Sequence, residues 1–261
     1  MRKSATVLAG LLPLLAALTA GGRQRGSPSL RFYTLDMCPY AQRVWILLEE
    51  LGVPYERQPV NLRDAAQKEQ YQREVNPRGK VPALVDEEAG LTLYESHIVN
   101  EFLAERFSSC GGAELLPPGD AVLRAQIRLW NEHLDSQLAP AHFTLLMNKD
   151  EETASAKRAA LDAALGHYEQ RPEEGGPYLA GESFTLADVA AVPFFERQEF
   201  SLRHFKGLEP LENFPHTRKW FELVQARPSF KVTKRPEDKL RELYEQFVAS
   251  DYAFGGLNQN K

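Results

Sequence analysis

Cys38 is the residue of this sequence best placed to do chemistry. It stands in Leu35-Asp36-Met37-Cys38-Pro39-Tyr40-Ala41-Gln42-Arg43, between a short β-rich run, Leu30 to Leu35, and a stretch where Val44, Leu47, Leu48 and Leu51 recur at the spacing of one helix face. A thiol at such a junction meets backbone N–H groups without intrahelical partners and the positive end of the helix dipole. That setting stabilises a thiolate, moving a cysteine pKa from about 8.5 toward roughly 3.5–7.5. Pro39 suits the first helical position, where its missing N–H costs nothing. Ala41 occupies the position that a dithiol redox centre gives to its second cysteine. The expected chemistry is therefore thiol–disulfide exchange whose resolving thiol comes from solution, glutathione being the obvious supply. The competing reading is a structural cysteine packed as a small hydrophobe.

Two further places carry polar or backbone groups that such chemistry could use. Val81-Pro82 enters a strand after the turn Asn76-Pro77-Arg78-Gly79. A cis bond there would turn the Val81 N–H and C=O outward, where an extended peptide could pair as an added strand. Spacing alone favours a trans proline on an edge strand. Glu95-Ser96 closes one strand and opens a helix. Ser96 there is either a plain N-cap or, with its backbone N–H, a donor to a ligand carboxylate, Glu95 then taking an ammonium group. The second arrangement would read the α-amino acid end of a γ-glutamyl peptide. Lys68 and Lys80 could meet the opposite carboxylate, although each alone reads as a solvated surface lysine.

These residues must be positioned by an alternation of strands and helices between Ser29 and Phe107. Leu30–Leu35 reads as a strand, Pro39–Leu51 as a helix and Tyr55–Asn61 as a second strand. Asp64 to Glu74 reads as a charged helix, and Val81–Val85 with Leu91–Tyr94 as a hairpin. A helix follows from Ser96, with Ile98, Val99, Phe102 and Leu103 paired on it. The order β-α-β-α-β-β-α describes a small α/β domain with a mixed sheet. Residues 108–119, rich in Gly, Ser and Pro, form a linker, and from 120 to 261 only helices are expected. Among these, Thr185-Leu186-Ala187-Asp188 is a capping box flanked by Phe184 and Val189 as a hydrophobic staple. Pro193 should kink the helix it opens, and the segment after Arg235 closes the chain as an amphipathic helix.

Composition narrows the class. The chain has 261 residues, 43% hydrophobic and 26% charged, with net charge -5, so no basic field supports a nucleic-acid partner. Only Cys38 and Cys110 are present, which is no disulfide framework and fits a reducing compartment. No metal is expected. Residues 1–27 differ in kind: Arg2 and Lys3 precede an apolar run from Ala5 to Ala20, and no acidic residue appears before Asp36. This is either a secretory or organellar leader or a disordered extension. It is short for a membrane span, and none is expected.

The motifs together are specific. Cys38-Pro39-Tyr40-Ala41-Gln42-Arg43, Asn76-Pro77-x-Gly79-x-Val81-Pro82-Ala83-Leu84 and Glu95-Ser96-x-Ile98 occur in the order and approximate spacing of the glutathione transferases. The chain resembles their cysteine-type branch, and within it the omega class. Phe194-Phe195-Glu196-Arg197 is similar to that class's Pro-Trp-Phe-Glu-Arg segment, with Phe194 replacing Trp, and Asp251-Tyr252 is similar to its tail. The resemblance implies a thioredoxin-like domain over 28–107 and an all-helical domain over 120–261, assembled as a homodimer in the cytoplasm. It implies that Cys38 forms a mixed disulfide with glutathione, the co-substrate. Val81 would bind the cysteinyl backbone, Glu95 and Ser96 the γ-glutamyl end, and Lys68 the glycyl carboxylate. Phe195 and Trp220 would wall the second-substrate pocket. The activity implied is thiol transfer with dehydroascorbate reduction. Its rivals are conjugation of glutathione to electrophiles, through Tyr33 or Tyr40, and a non-enzymatic use of the fold, since the intracellular chloride channels share a Cys-Pro-Phe-x-Gln-Arg motif.

Overall fold

The computed structural model describes residues 29–108, 114–171 and 175–249. The leader over 1–27, Cys110 and Asp251-Tyr252 lie outside these residues. In β1 (Leu30–Thr34) Leu30, Phe32 and Thr34 are buried and alternate with half-buried Arg31 and Tyr33, the period-2 pattern of a strand with one covered face. α1 (Pro39–Leu51) buries Val44, Ile46, Leu47, Leu48 and Leu51, and Gly52 ends it in the left-handed region at φ 61. β2 (Glu56–Pro59) returns parallel to β1, and α2 (Ala65–Glu74) starts from Asp64, whose carboxylate accepts from Gln67 N at 3.0 Å. β3 (Ala83–Asp86) and β4 (Leu91–Tyr94) form the expected hairpin. β3 runs antiparallel to β1, giving the sheet order β2-β1-β3-β4.

α3 (Ser96–Arg106) differs from expectation in its facing. Val99 and Leu103, four residues apart, enter the core, Phe102 is only partly buried, and Ile98 is 56% exposed. A helix on this sheet has one apolar stripe, and Ile98 falls outside it.

The second half is helical among the described residues. α4 (Ala121–His133) passes through a π-helical turn, Leu134–Leu138, into α5 (Ala139–Leu146). α6 (Glu151–Glu169), α7 (Leu186–Lys206), α8 (Pro215–Gln225), α9 (Pro228–Thr233) and α10 (Glu237–Ala249) follow. α7 is the axis of this half, with Leu186 to Gln198 continuously buried. The capping box is present, and Asp188 is its anchor. One carboxylate oxygen accepts from Leu179 N at 2.9 Å and Trp220 Nε1 at 2.8 Å, the other from Thr185 N at 2.9 Å. α7 continues helical through Pro193.

The two halves share a buried seam in which α1 packs against α7 and α9. Arg43 Nε donates to Ala190 O at 3.0 Å, and Gln42 Nε2 to Thr233 O at 3.3 Å. At the far end of α1, Glu50 takes both Nε and Nη2 of Arg227, at 2.8 and 2.7 Å. Among the described residues, no helix is long and apolar enough to cross a membrane.

Candidate active site

Cys38 occupies the cap position of α1 with extended backbone, φ -77 and ψ 119, followed by Pro39 as the first helical residue. The start of the helix thus fixes the sulfur's position. Its Sγ lies 3.9 Å from Val81 O, and it is the one free cysteine among the described residues. The expected lowering of its pKa is not what the surroundings produce. Burial pushes the thiol up, against the backbone N–H groups of Ala41 and Tyr40 and the charges of Arg197 and Arg43, which pull it down. Desolvation outweighs the helix terminus because the partly buried sulfur is packed against the apolar core.

Val81 is held by the turn before it. Asn76 is buried, and its Nδ2 donates to Lys80 O at 2.6 Å while its Oδ1 accepts from Arg78 N at 3.0 Å. Tyr71 OH, from α2, donates to the same Lys80 carbonyl at 2.8 Å. Gly79 closes the turn at φ +60, a backbone conformation that calls for glycine, while a Cβ there would meet only the movable end of the Gln72 side chain. The Val81–Pro82 bond is cis, contrary to the trans form that spacing alone favours. Lys80 is exposed and Lys68 half-exposed.

Glu95 takes the cap position of α3 at φ 71, an unusual conformation for a side-chain-bearing residue. Its carboxylate is exposed and accepts from Arg78 Nη1 at 2.6 Å. Ser96 is therefore the first helical residue and not a plain N-cap, and no side-chain cap bond is formed. Its buried hydroxyl accepts from Arg43 Nη1 at 3.2 Å, which leaves the O–H free to donate outward.

Arg43 was not singled out by the sequence reading, yet it joins the parts. It is fully buried, and its Nη2 reaches Asp135 Oδ1 at 2.6 Å, its Nη1 lies 3.2 Å from His97 Nε2, and its guanidinium sits 4.3 Å from the Phe194 ring centre. Burial would raise the Asp135 carboxyl, but His97 and Arg43 hold it down to about 2. The available signal was a charge on the apolar face of α1, four residues before Leu47.

Phe195 and Trp220, expected to wall the second-substrate pocket, lie in the core. Both are buried, stacked with Tyr168 and Phe221 in the core, and Trp220 Nε1 is spent on Asp188. Apolar aromatics read alike in a core and in a pocket wall. Tyr40 lies beside Cys38, its ring 5.0 Å edge-on from Phe194, with its hydroxyl pushed up by burial.

Residues 37–106 match the glutathione S-transferase N-terminal domain and residues 133–228 the C-terminal domain. Glutathione S-transferase 3 of Zea mays is 31% identical over 218 residues, covering 78% of this chain and 92% of its own. A probable glutathione S-transferase DHAR1, cytosolic, of Oryza sativa subsp. japonica is 28% identical, over 79% of this chain and 88% of its own. Among solved structures, glutathione transferase Omega 3C from Trametes versicolor superposes with TM-score 0.74 at 29% identity, covering 87% of this chain and 93% of that one.

Proposed function

The chain belongs to the glutathione S-transferase family, and we propose that it works there as a thiol transferase and reductase through a mixed disulfide on Cys38. The observation that carries this reading is the Cys38 sulfur at the start of α1, 3.9 Å from the Val81 carbonyl. A glutathione laid along Val81 as an added strand would bring its own sulfur to Cys38. The Ser96 hydroxyl would then donate to the γ-glutamyl carboxylate, with Glu95 facing the ammonium and Lys68 or Lys80 the glycyl end.

The Cys38 thiolate attacks the glutathione sulfur of a mixed disulfide, forming Cys38–S–S–glutathione and releasing the substrate thiolate, which takes a proton. A second glutathione thiolate attacks that bond, leaves as glutathione disulfide and returns the electron pair to Cys38. With dehydroascorbate, Cys38 first adds to a carbonyl. Glutathione then attacks the sulfur, and ascorbate departs with the two electrons. Conjugation would need a hydroxyl that stabilises the glutathione thiolate without capturing it, and a cysteine placed as Cys38 is would form the disulfide instead. Mass spectrometry after treatment with oxidised glutathione tests the first step: one adduct on Cys38, absent in Cys38→Ser, is expected. A Cys38→Ser protein with full thiol-transfer activity overturns the reading.

The homodimer that the resemblance implies also belongs to this proposal. Ile98 on α3 and Val122 and Leu129 on α4 are 56%, 71% and 66% exposed, apolar surface that a second copy would cover. Light scattering should find a dimer that Leu129→Arg converts to monomer.

A further inference from the structure

The start of α1 has no side-chain cap. Of its first four N–H groups, that of Cys38 is given to Leu35 O at 2.9 Å and Pro39 has none, which leaves those of Tyr40 and Ala41. The next, on Gln42, already closes the helix on Cys38 O at 3.0 Å. No side chain bonds to the cap position, and the first turn holds no acidic residue. At other helix starts an aspartate fills this role. Asp64 accepts from Gln67 N at 3.0 Å, Asp120 from Leu123 N at 2.8 Å and Asp150 from Glu152 N at 2.9 Å, at the starts of α2, α4 and α6.

An aspartate is present here too. Asp36 stands two residues before Cys38 and is the only acidic residue before Glu49. Its carboxylate is turned to other partners. Oδ1 pairs with Arg57 from β2, and Oδ2 lies 3.5 Å from Nη1 of Arg235, just beyond α9. Both guanidinium groups sit over the ring of Trp45, at 4.5 and 4.6 Å from its centre, and Trp45 is buried. Arg235 is tied down again by its Nε, which donates to Thr233 O at 3.1 Å. A single exposed ion pair would contribute little. Two cations stacked on one buried ring and sharing one carboxylate form a network.

We propose that Arg57 and Arg235 are positioning residues for Cys38: they hold the Asp36 carboxylate off the start of α1, so that the helix end serves the sulfur and not an aspartate. This deepens the glutathione reading and rests on Cys38 being its nucleophile. Two residues of chain span at most about 7 Å. A released Asp36 would therefore compete for the Tyr40 and Ala41 N–H groups and set a negative charge beside the thiolate. Thiol exchange needs that thiolate twice, as attacking and as departing group.

The other charged groups around the site have partners of their own. Arg43 on α1 is paired with Asp135, Arg197 on α7 with Glu196, and Glu95 at the start of α3 with Arg78. Burial keeps Tyr40 on α1 and Tyr71 on α2 un-ionised, and Lys80 beside Val81 is exposed.

The test is the rate of iodoacetamide alkylation at Cys38 in the full chain, at neutral pH and low salt, read on the Cys38 peptide by mass spectrometry and needing no glutathione. Arg57→Gln with Arg235→Gln should slow it about fivefold. Adding Asp36→Asn should restore the wild-type rate, and Asp36→Asn alone should not slow it. A double variant as fast as wild type overturns the proposal, and so does an Asp36→Asn protein slower than wild type. A slow double variant that Asp36→Asn fails to restore also overturns it, since a structural loss then accounts for the rate. If the double variant does not fold, Arg57→Gln alone replaces it, with the same overturning results. Loss of the glutathione adduct with this pattern intact would refute the glutathione reading and leave the role of Arg57 and Arg235 standing.

Discussion

Arg43 and Arg197 are both buried guanidinium groups on the seam between the halves, and the protein treats them in opposite ways. Arg43, from the sheet half, has Ala190 O, Ser96 Oγ, His97 and Asp135 around it. Arg197, from the helical half, leaves Nε and Nη2 unpaired, and Glu196 Oε1 and both polar atoms of Gln198 beside it are unpaired as well. A fully partnered charge fixes geometry, and here it fixes the residues expected to read an unvarying co-substrate. An under-partnered one leaves hydrogen-bonding capacity unused.

Four experiments press on that contrast. The largest effect belongs to the proposed nucleophile: Cys38→Ser should reduce glutathione-dependent thiol transfer to the uncatalysed rate while leaving the urea midpoint near wild type. Next, Arg43→Met should destabilise the fold by about 2 kcal/mol, because it strands the buried Ala190 carbonyl and Ser96 hydroxyl and unpairs the part-exposed Asp135. Arg197→Met with Glu196→Leu removes the under-partnered pair whole and should be neutral within about 1 kcal/mol. Equal losses from the two would end the comparison.

The third experiment concerns a buried group kept neutral. His142 bonds Ser201 Oγ at 2.8 Å and is fully buried, which pushes its pKa down to about 3. The unfolded chain takes up the proton near pH 6.5 and the folded chain does not, so stability is full above that pH and falls as the pH drops toward 3. Between pH 7.5 and 5.5 the loss from this group should be about 1.4 kcal/mol, and His142→Gln should flatten that slope in urea titrations. The smallest effect is at the rim. Arg78→Ala frees the Glu95 carboxylate from its exposed pair, which is worth less than about 1 kcal/mol. The KM for glutathione should change only a few-fold, with kcat held.

What could be read from the sequence was local. The alternation of Leu30, Phe32 and Thr34, the i, i+3, i+4 run behind Cys38, the turn at Asn76 to Gly79 and the capping box at Thr185 each lie within one element, and each is present. Ile98 was misread because period alone does not say which of two adjacent apolar residues meets the core. The Cys38 pKa was misjudged because the helix terminus is visible in the sequence and the core packed against the sulfur is not. Arg43 and Asp135 are separated by 92 residues, and Gln42 and Thr233 by 191. Such pairs depend on how α7 and α9 lie against α1, which no motif states. The core placement of Trp220 was hidden for the same reason, since its ring nitrogen is held by Asp188 from another helix.

The bonds from Gln42 to Thr233 and from Glu50 to Arg227 set an order on assembly. A chain emerging from the ribosome exposes the whole of α1 before any of α9 has been made, and domains otherwise tend to fold as they appear. The face of α1 that carries Cys38 therefore waits, with its amide and carboxylate groups in water, until α9 has been made as well. The helix that holds the nucleophile is synthesised first and finished last.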